Sequence, residues 1–178
     1  MLKKITLLLL LVLPMSVFAQ KFGVFKSSEI IPLMPEYTKA QTELQDMQKQ
    51  YEGELGRAGE EFNKKLAEFQ QEQDKLPENI KERRQKELQE LSAKAQQFQY
   101  DAQQALQQAS AQKMEPIFKK LEETVQAVGK SGGYTFVFDM NRTEIPYVDA
   151  TQVKDITNDI KTKLGISLTA TIPAATTK

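Results

Sequence analysis

Four cations crowd one short run of this chain, KERRQKE, as Lys81, Arg83, Arg84 and Lys86. Guanidinium and ammonium groups on adjacent helical turns can hold phosphate or carboxylate, which makes the run a candidate contact for an anionic surface such as a membrane. Glu82 and Glu87 offset it. The same residues therefore also read as a solvated helix face laced by ion pairs three and four positions apart.

Other chemistry is scarce. The sequence contains no histidine and no cysteine, which removes the commonest general base, thiol nucleophiles and His/Cys zinc sites. No glycine-rich loop joins a strand to a helix in the phosphate-cradling pattern. Carboxylates are plentiful, but they are spread along helical faces and no pair stands out as acid and base. The expectation is a protein that is not an enzyme, with no catalytic residue, metal or cofactor. Lys+Arg and Asp+Glu both number 24. Setting aside Lys3 and Lys4 with the leader leaves 22 cations against 24 anions, so no basic footprint points to nucleic acid.

The stretch EGELGRAGEEF places Gly53, Gly56 and Gly59 at intervals of three inside a region that otherwise reads as helix. Each glycine costs a helix about 1 kcal/mol relative to alanine. They read as a hinge and, compatibly with it, as sites that let Phe98 and Tyr100 of an opposing helix pack close to the backbone.

These residues must be positioned by long helices. From Pro35, apolar residues recur at Tyr37, Ala40, Leu44, Met47, Tyr51, Leu55, Ala58, Phe62, Leu66, Phe69 and Leu76, in steps of three and four that define a narrow seam. Pro77 ends this helix and Asn79 favours a turn. A second stripe follows at Ile80, Leu88, Leu91, Ala95, Phe98, Ala102, Ala105 and Ala109. Folding back at Pro77 brings Tyr51 to the neighbourhood of Ala102 and Phe62 to that of Leu91, large side chains against small. Tyr100 and Leu106 lie off the seam and are candidate contacts for a bound partner.

At the N-terminus, Lys3 and Lys4, the apolar run Ile5 to Leu13, and small residues ending at Ala19 predict a secretory signal over residues 1–19, cleaved after about Ala19. The run is too short to span a bilayer. An exported chain without cysteine is expected to carry neither a lipoprotein anchor nor disulfides.

The ends of the chain supply a small body domain, residues 20–34 and 115–166, around a hairpin arm of residues 35–114; residues 167–178 form a flexible tail. KFGVF and YTFVFD read as strands, with Ile145 to Val148 as a return strand forming a hairpin. Pro116 opens a helix bearing Ile117, Leu121, Val125 and Val128. Asp149 or Thr151 caps a last helix bearing Val153, Ile156, Ile160 and Leu164. The fold class is α+β. So few strands leave open edges, which predicts a homo-oligomer with Phe136 and Phe138 in its core.

The segments KFGVFKSSEII (Lys21 to Ile31), GYTFVFDMN (Gly133 to Asn141) and VDATQVKDIT (Val148 to Thr157), with the long hairpin between the first two, resemble the Skp/OmpH family of periplasmic chaperones over essentially the whole mature chain. The resemblance implies a jellyfish-shaped homotrimer, with a β-barrel body built by all three subunits and three coiled-coil tentacles around a cavity. It also implies a holdase that keeps unfolded outer-membrane β-barrel proteins from aggregating, without ATP. The best-known members are strongly basic, whereas this mature chain is slightly acidic, so a lipopolysaccharide site does not carry over. A structural periplasmic adaptor, docking one folded envelope partner at its tip, is the alternative.

Overall fold

The computed structural model describes residues 20–171. The expected signal segment, its cleavage site and the last part of the tail lie outside the described residues. No helix among the described residues is long and apolar enough to cross a membrane.

Strand β1 (Phe22–Phe25) leads through two 3-10 turns, Ser27–Glu29 and Ile31–Leu33, into helix α1 (Pro35–Glu72). Pro35 suits the first turn of α1, where its missing amide hydrogen would have no helical partner. A 3-10 turn at Gln73–Lys75 and extended residues at Leu76 and Pro77 reverse the chain into helix α2 (Glu78–Ser131). The reversal falls at Pro77 as expected, but Asn79 lies inside α2 rather than in the turn, because Pro77 can precede a helix without disturbing it. With 38 residues, α1 is about 57 Å long. With 54 residues, α2 is about 81 Å long.

The length of α2 corrects one expectation. Pro116 does not open a separate helix; it sits inside α2, which runs unbroken from the arm into the body. Its ring removes one amide donor, and burial of Ile117 and Leu121 on the body side holds the helix across the gap.

After Gly133, whose φ of 67° turns the chain at the end of α2, strand β2 (Phe136–Asp139) is followed by a long loop, strand β3 (Val153–Asp155) and helix α3 (Thr157–Lys163). The sheet has the order β2-β1-β3, and both outer strands run parallel to β1. The expected β-hairpin is therefore absent: Ile145 to Val148 is not a strand, and the third strand is Val153–Asp155. Two features redirect the chain after β2. Met140 N–H donates to the carbonyl of Phe25 at 2.8 Å, which keeps the exit of β2 tied to that of β1. Pro146 has no amide hydrogen to give a returning ladder. The last helix likewise starts later than expected, at Thr157, because Val153 is taken into β3 and Asp149 closes a local turn with Thr151 instead.

The body core gathers Phe25, Ile30 and Met34 from the start of the chain, Ala40 of α1, Ile117 and Leu121 of α2, and Ile156, Ile160 and Ile166 from the end. Both long helices thus root in one small cluster. Beyond it, among the described residues, the two helices pack on each other.

Candidate functional site

The two arms touch along the seam that the sequence spells out. Its residues are half-buried, apart from Ala40, Phe69 and Ala102, which are buried; most positions between them are exposed. Tyr51 meets Phe98 edge to face, with ring centroids 5.8 Å apart. Ion pairs cross between the arms at Glu36–Lys120 and Glu43–Lys113 near the root, and at Lys65–Glu87 and Glu72–Arg84 near the tip, the register that folding at Pro77 requires. The hydrogen bond from Lys120 holds the carboxyl of Glu36 below its ordinary value, and those from Lys113 and Lys65 do the same for Glu43 and Glu87. Conversely, its bond to Glu87 raises Lys65.

Between the root pairs and the tip pairs no ion pair joins the arms among the described residues. Gly53, Gly56 and Gly59 lie in this interval. A methyl group on any of the three would meet no heavy atom within 4 Å. This corrects the close-packing reading: Phe98 rests on Tyr51, and Tyr100 stands 57% exposed with its hydroxyl accepting a hydrogen bond from Gln104. Gly53 and Gly56 are exposed and Gly59 is half-buried on the seam side, and at none of the three does a neighbouring side chain fill the space.

On the body, strand alternation sends Phe25 and Val137 into the core and leaves Phe22, Val24, Phe136 and Phe138 on the opposite face of the sheet. Phe22 stacks on Phe136 at 6.1 Å and Phe136 on Phe138 at 6.0 Å, yet Phe136 remains 54% exposed. On this aromatic face Phe136 is exposed, and Phe22, Val24 and Phe138 are half-buried.

The C-terminal ends of the three strands are fixed by polar side chains that sequence reasoning left without a role. Asp139 Oδ1 accepts the amides of Ser27 at 3.2 Å and Asn141 at 3.0 Å, while Asn141 Oδ1 accepts the amide of Ser28 at 3.0 Å. Thr157 Oγ1 accepts the amide of Lys26 at 3.2 Å, and Asp155 accepts that of Thr157 at 2.9 Å. Three segments distant in sequence, KFGVFKSSEII, GYTFVFDMN and VDATQVKDIT, are thereby stitched at one place. The signal for these roles was an Asp closing β2 and β3, with Asn141 and Thr157 two residues further on, where such side chains can satisfy amides that begin the next turn.

The model of a family described as outer membrane protein (OmpH-like) matches residues 21–164. The chain belongs to the OmpH-like family. A solved structure described as that of a candidate outer membrane chaperone (OmpH-like), from Caulobacter crescentus CB15, superposes with a TM-score of 0.70. It covers 82% of this chain and 83% of its own, at 13% identity, so the likeness is one of fold. Comparison with curated proteins finds no match.

Within this OmpH-like chain the four cations near the tip are mostly engaged. Lys81 pairs with Glu78 at 3.6 Å, Arg84 with Glu72 at 3.3 Å and Lys86 with Glu90 at 4.0 Å. Arg83 has no ion pair among the described residues, and it is exposed. Leu106 is half-buried beside the seam, whereas Tyr100 faces solvent. Phe118, 42% exposed on the same helix with Arg142 over its ring at 5.8 Å, was not singled out from sequence because its neighbours Ile117 and Leu121 dominate the pattern. No group of three or more potential metal ligands occurs among the described residues.

Proposed function

We propose that this OmpH-like protein is an ATP-independent periplasmic holdase, which takes unfolded outer-membrane β-barrel proteins into a cavity between helical arms and keeps them from aggregating in transit. The observation that carries this reading is the contrast between its two parts. The arms are long, paired along a thin seam and rooted in one body, and that body presents an aromatic face of Phe22, Phe136 and Phe138 on which Phe136 is exposed. Copies joined through this face as a homotrimer bury its rings and set their arms around a common space.

In this reading Tyr100 and Leu106 contribute dispersed contacts to the client. Gly53, Gly56 and Gly59 form the hinge that lets the space widen. Lys81, Arg83, Arg84 and Lys86 offer a contact for an anionic membrane surface, chiefly through Arg83, since the others are already paired. Nucleic acid has no place in it.

Sedimentation equilibrium of the mature protein, alone and with a urea-unfolded outer-membrane β-barrel protein diluted into it, tests the assembly. The expected masses are those of three copies and of three copies plus client. A compact monomer at micromolar concentration would overturn the shared body.

A further inference from the structure

The longest uncharged run on the two arms lies in α2. From Ala102 to Gln112, the sequence AQQALQQASAQ carries no charged residue, whereas α1 has one on nearly every turn. The run spans about three helical turns. Tyr100, 57% exposed, stands two residues before it, and Phe118, 42% exposed with Arg142 over its ring, stands six residues past it, beyond Lys113 and Glu115. Tyr100 and Phe118 are eighteen positions apart, which is five full turns at 3.6 residues per turn, so their side chains share one face about 27 Å apart. Gln104, Gln107 and Ala111 fall on the same face, and all three are exposed. The seam residues Phe98, Ala102, Ala105 and Ala109 lie on the opposite side of the helix, turned to α1.

We infer that this face is a lane for an extended, unfolded segment of client, anchored by aromatic contact at Tyr100 and Phe118 and held between them by glutamine amides. The inference rests on the holdase reading and adds where and how the client is held. An extended chain rises about 3.3 Å per residue, so roughly eight residues bridge the two rings. A glutamine amide supplies both donor and acceptor, matching the unpaired N–H and C=O groups that an unfolded backbone presents on every residue; Gln104 already gives one of its Nε2 hydrogens to the Tyr100 hydroxyl and keeps the other hydrogen and its Oε1. Lack of charge selects the occupant. Across the run itself a folded protein surface, rich in fixed charges, finds no partner, while a backbone with apolar side chains desolvates no ion there; at the far end the client shares the Phe118 ring with Arg142. Retention through this lane is therefore expected to depend little on salt, in keeping with the absence of net positive charge in the mature chain.

Binding of a fluorescently labelled, urea-unfolded outer-membrane β-barrel protein to the full mature protein tests the lane at low and at high sodium chloride. The unaltered protein should show an apparent Kd that changes by less than about threefold between the two salts. Tyr100→Ser with Phe118→Ser should weaken binding about tenfold. Because Phe118 also borders the body, a second pair of variants keeps the test independent of folding: Gln104→Glu with Gln107→Glu, and Gln104→Lys with Gln107→Lys, all at exposed helical positions. Both signs of charge should weaken binding, and Gln89→Glu, exposed elsewhere on α2, should not. Tighter binding by the lysine variant with weaker binding by the glutamate variant would overturn the lane in favour of electrostatic capture. Unchanged Kd in both would also overturn it while leaving the holdase reading intact. Failure of the unaltered protein to capture the client would overturn both.

Discussion

Tyr51 of α1 and Phe98 of α2 meet edge to face, with ring centroids 5.8 Å apart and planes inclined at 71°. They form the aromatic contact that spans the arms in the interval between the root and tip ion pairs. Just beyond Tyr51 come three glycines where an added methyl group would meet no neighbour within 4 Å.

Changing Gly53, Gly56 and Gly59 together to alanine should stabilise the arm by up to about 3 kcal/mol, since each site has ordinary helical surroundings with room for a methyl group. Hydrogen exchange across Tyr51 to Phe62 should slow, and retention of large clients should fall while that of small ones is kept. Faster exchange would mean that the glycines serve a packing role after all. Slower exchange with full capture of large clients would keep the helix and remove the hinge.

Phe136→Asp or Phe138→Asp should break the assembly and leave the protomer core folded, because both rings lie on the sheet face opposite Phe25 and Val137. Sedimentation velocity checks the mass and circular dichroism the helix content. An assembled variant with unchanged melting would show that this face is not the interface.

Acid should loosen the arms. The carboxyls of Glu36, Glu43 and Glu87 sit below their ordinary value of 4.5 in the folded arm, each chiefly through a lysine hydrogen bond. A depressed folded value means that the stabilisation is complete above the ordinary value and is lost as pH falls through the depressed one. The raised value of Lys65 acts on the alkaline side: its share is present below 10.5 and is lost as pH rises through the raised value. Thermal melts at neutral and acid pH should show a smaller loss on acidification for the triple Glu→Gln variant at Glu36, Glu43 and Glu87 than for the parent. Equal losses would show that these exposed pairs add nothing measurable.

Asp139→Ala should lower the stability of the body by about 1–2 kcal/mol, because the amides of Ser27 and Asn141 lose their shared acceptor. Neutralising Lys81, Arg83, Arg84 and Lys86 should, by contrast, leave the melting nearly unchanged, since exposed ion pairs add little. Loss of fold in that variant would make the cluster structural.

The arms were legible because a seam repeats: eleven positions from Tyr37 to Leu76 carry the same instruction, and the half-buried and buried residues of α1 follow it. Pro116 misled because a proline rule is local, whereas the helix there is held by Ile117 and Leu121 packing into the body. The body resisted reading for a related reason. Strands of three or four residues contain too little alternation to fix a partner, and Val153–Asp155 was chosen over Ile145 to Val148 by bonds made far away in sequence, such as Ile156 N–H to the carbonyl of Val24. The exposed ring of Phe118 was hidden in an apolar cluster, and only its azimuth, shared with Tyr100, separates it from the core.

Light scattering after dilution of a urea-unfolded outer-membrane β-barrel protein, with and without the mature chain and with no nucleotide present, bears on holdase function itself. Scattering should be suppressed once assembled protein matches client in number, and the client should remain unfolded and chemically unchanged. Undiminished scattering, together with saturable binding of a folded envelope protein at the Pro77 end of the arms, would contradict the holdase and favour an adaptor.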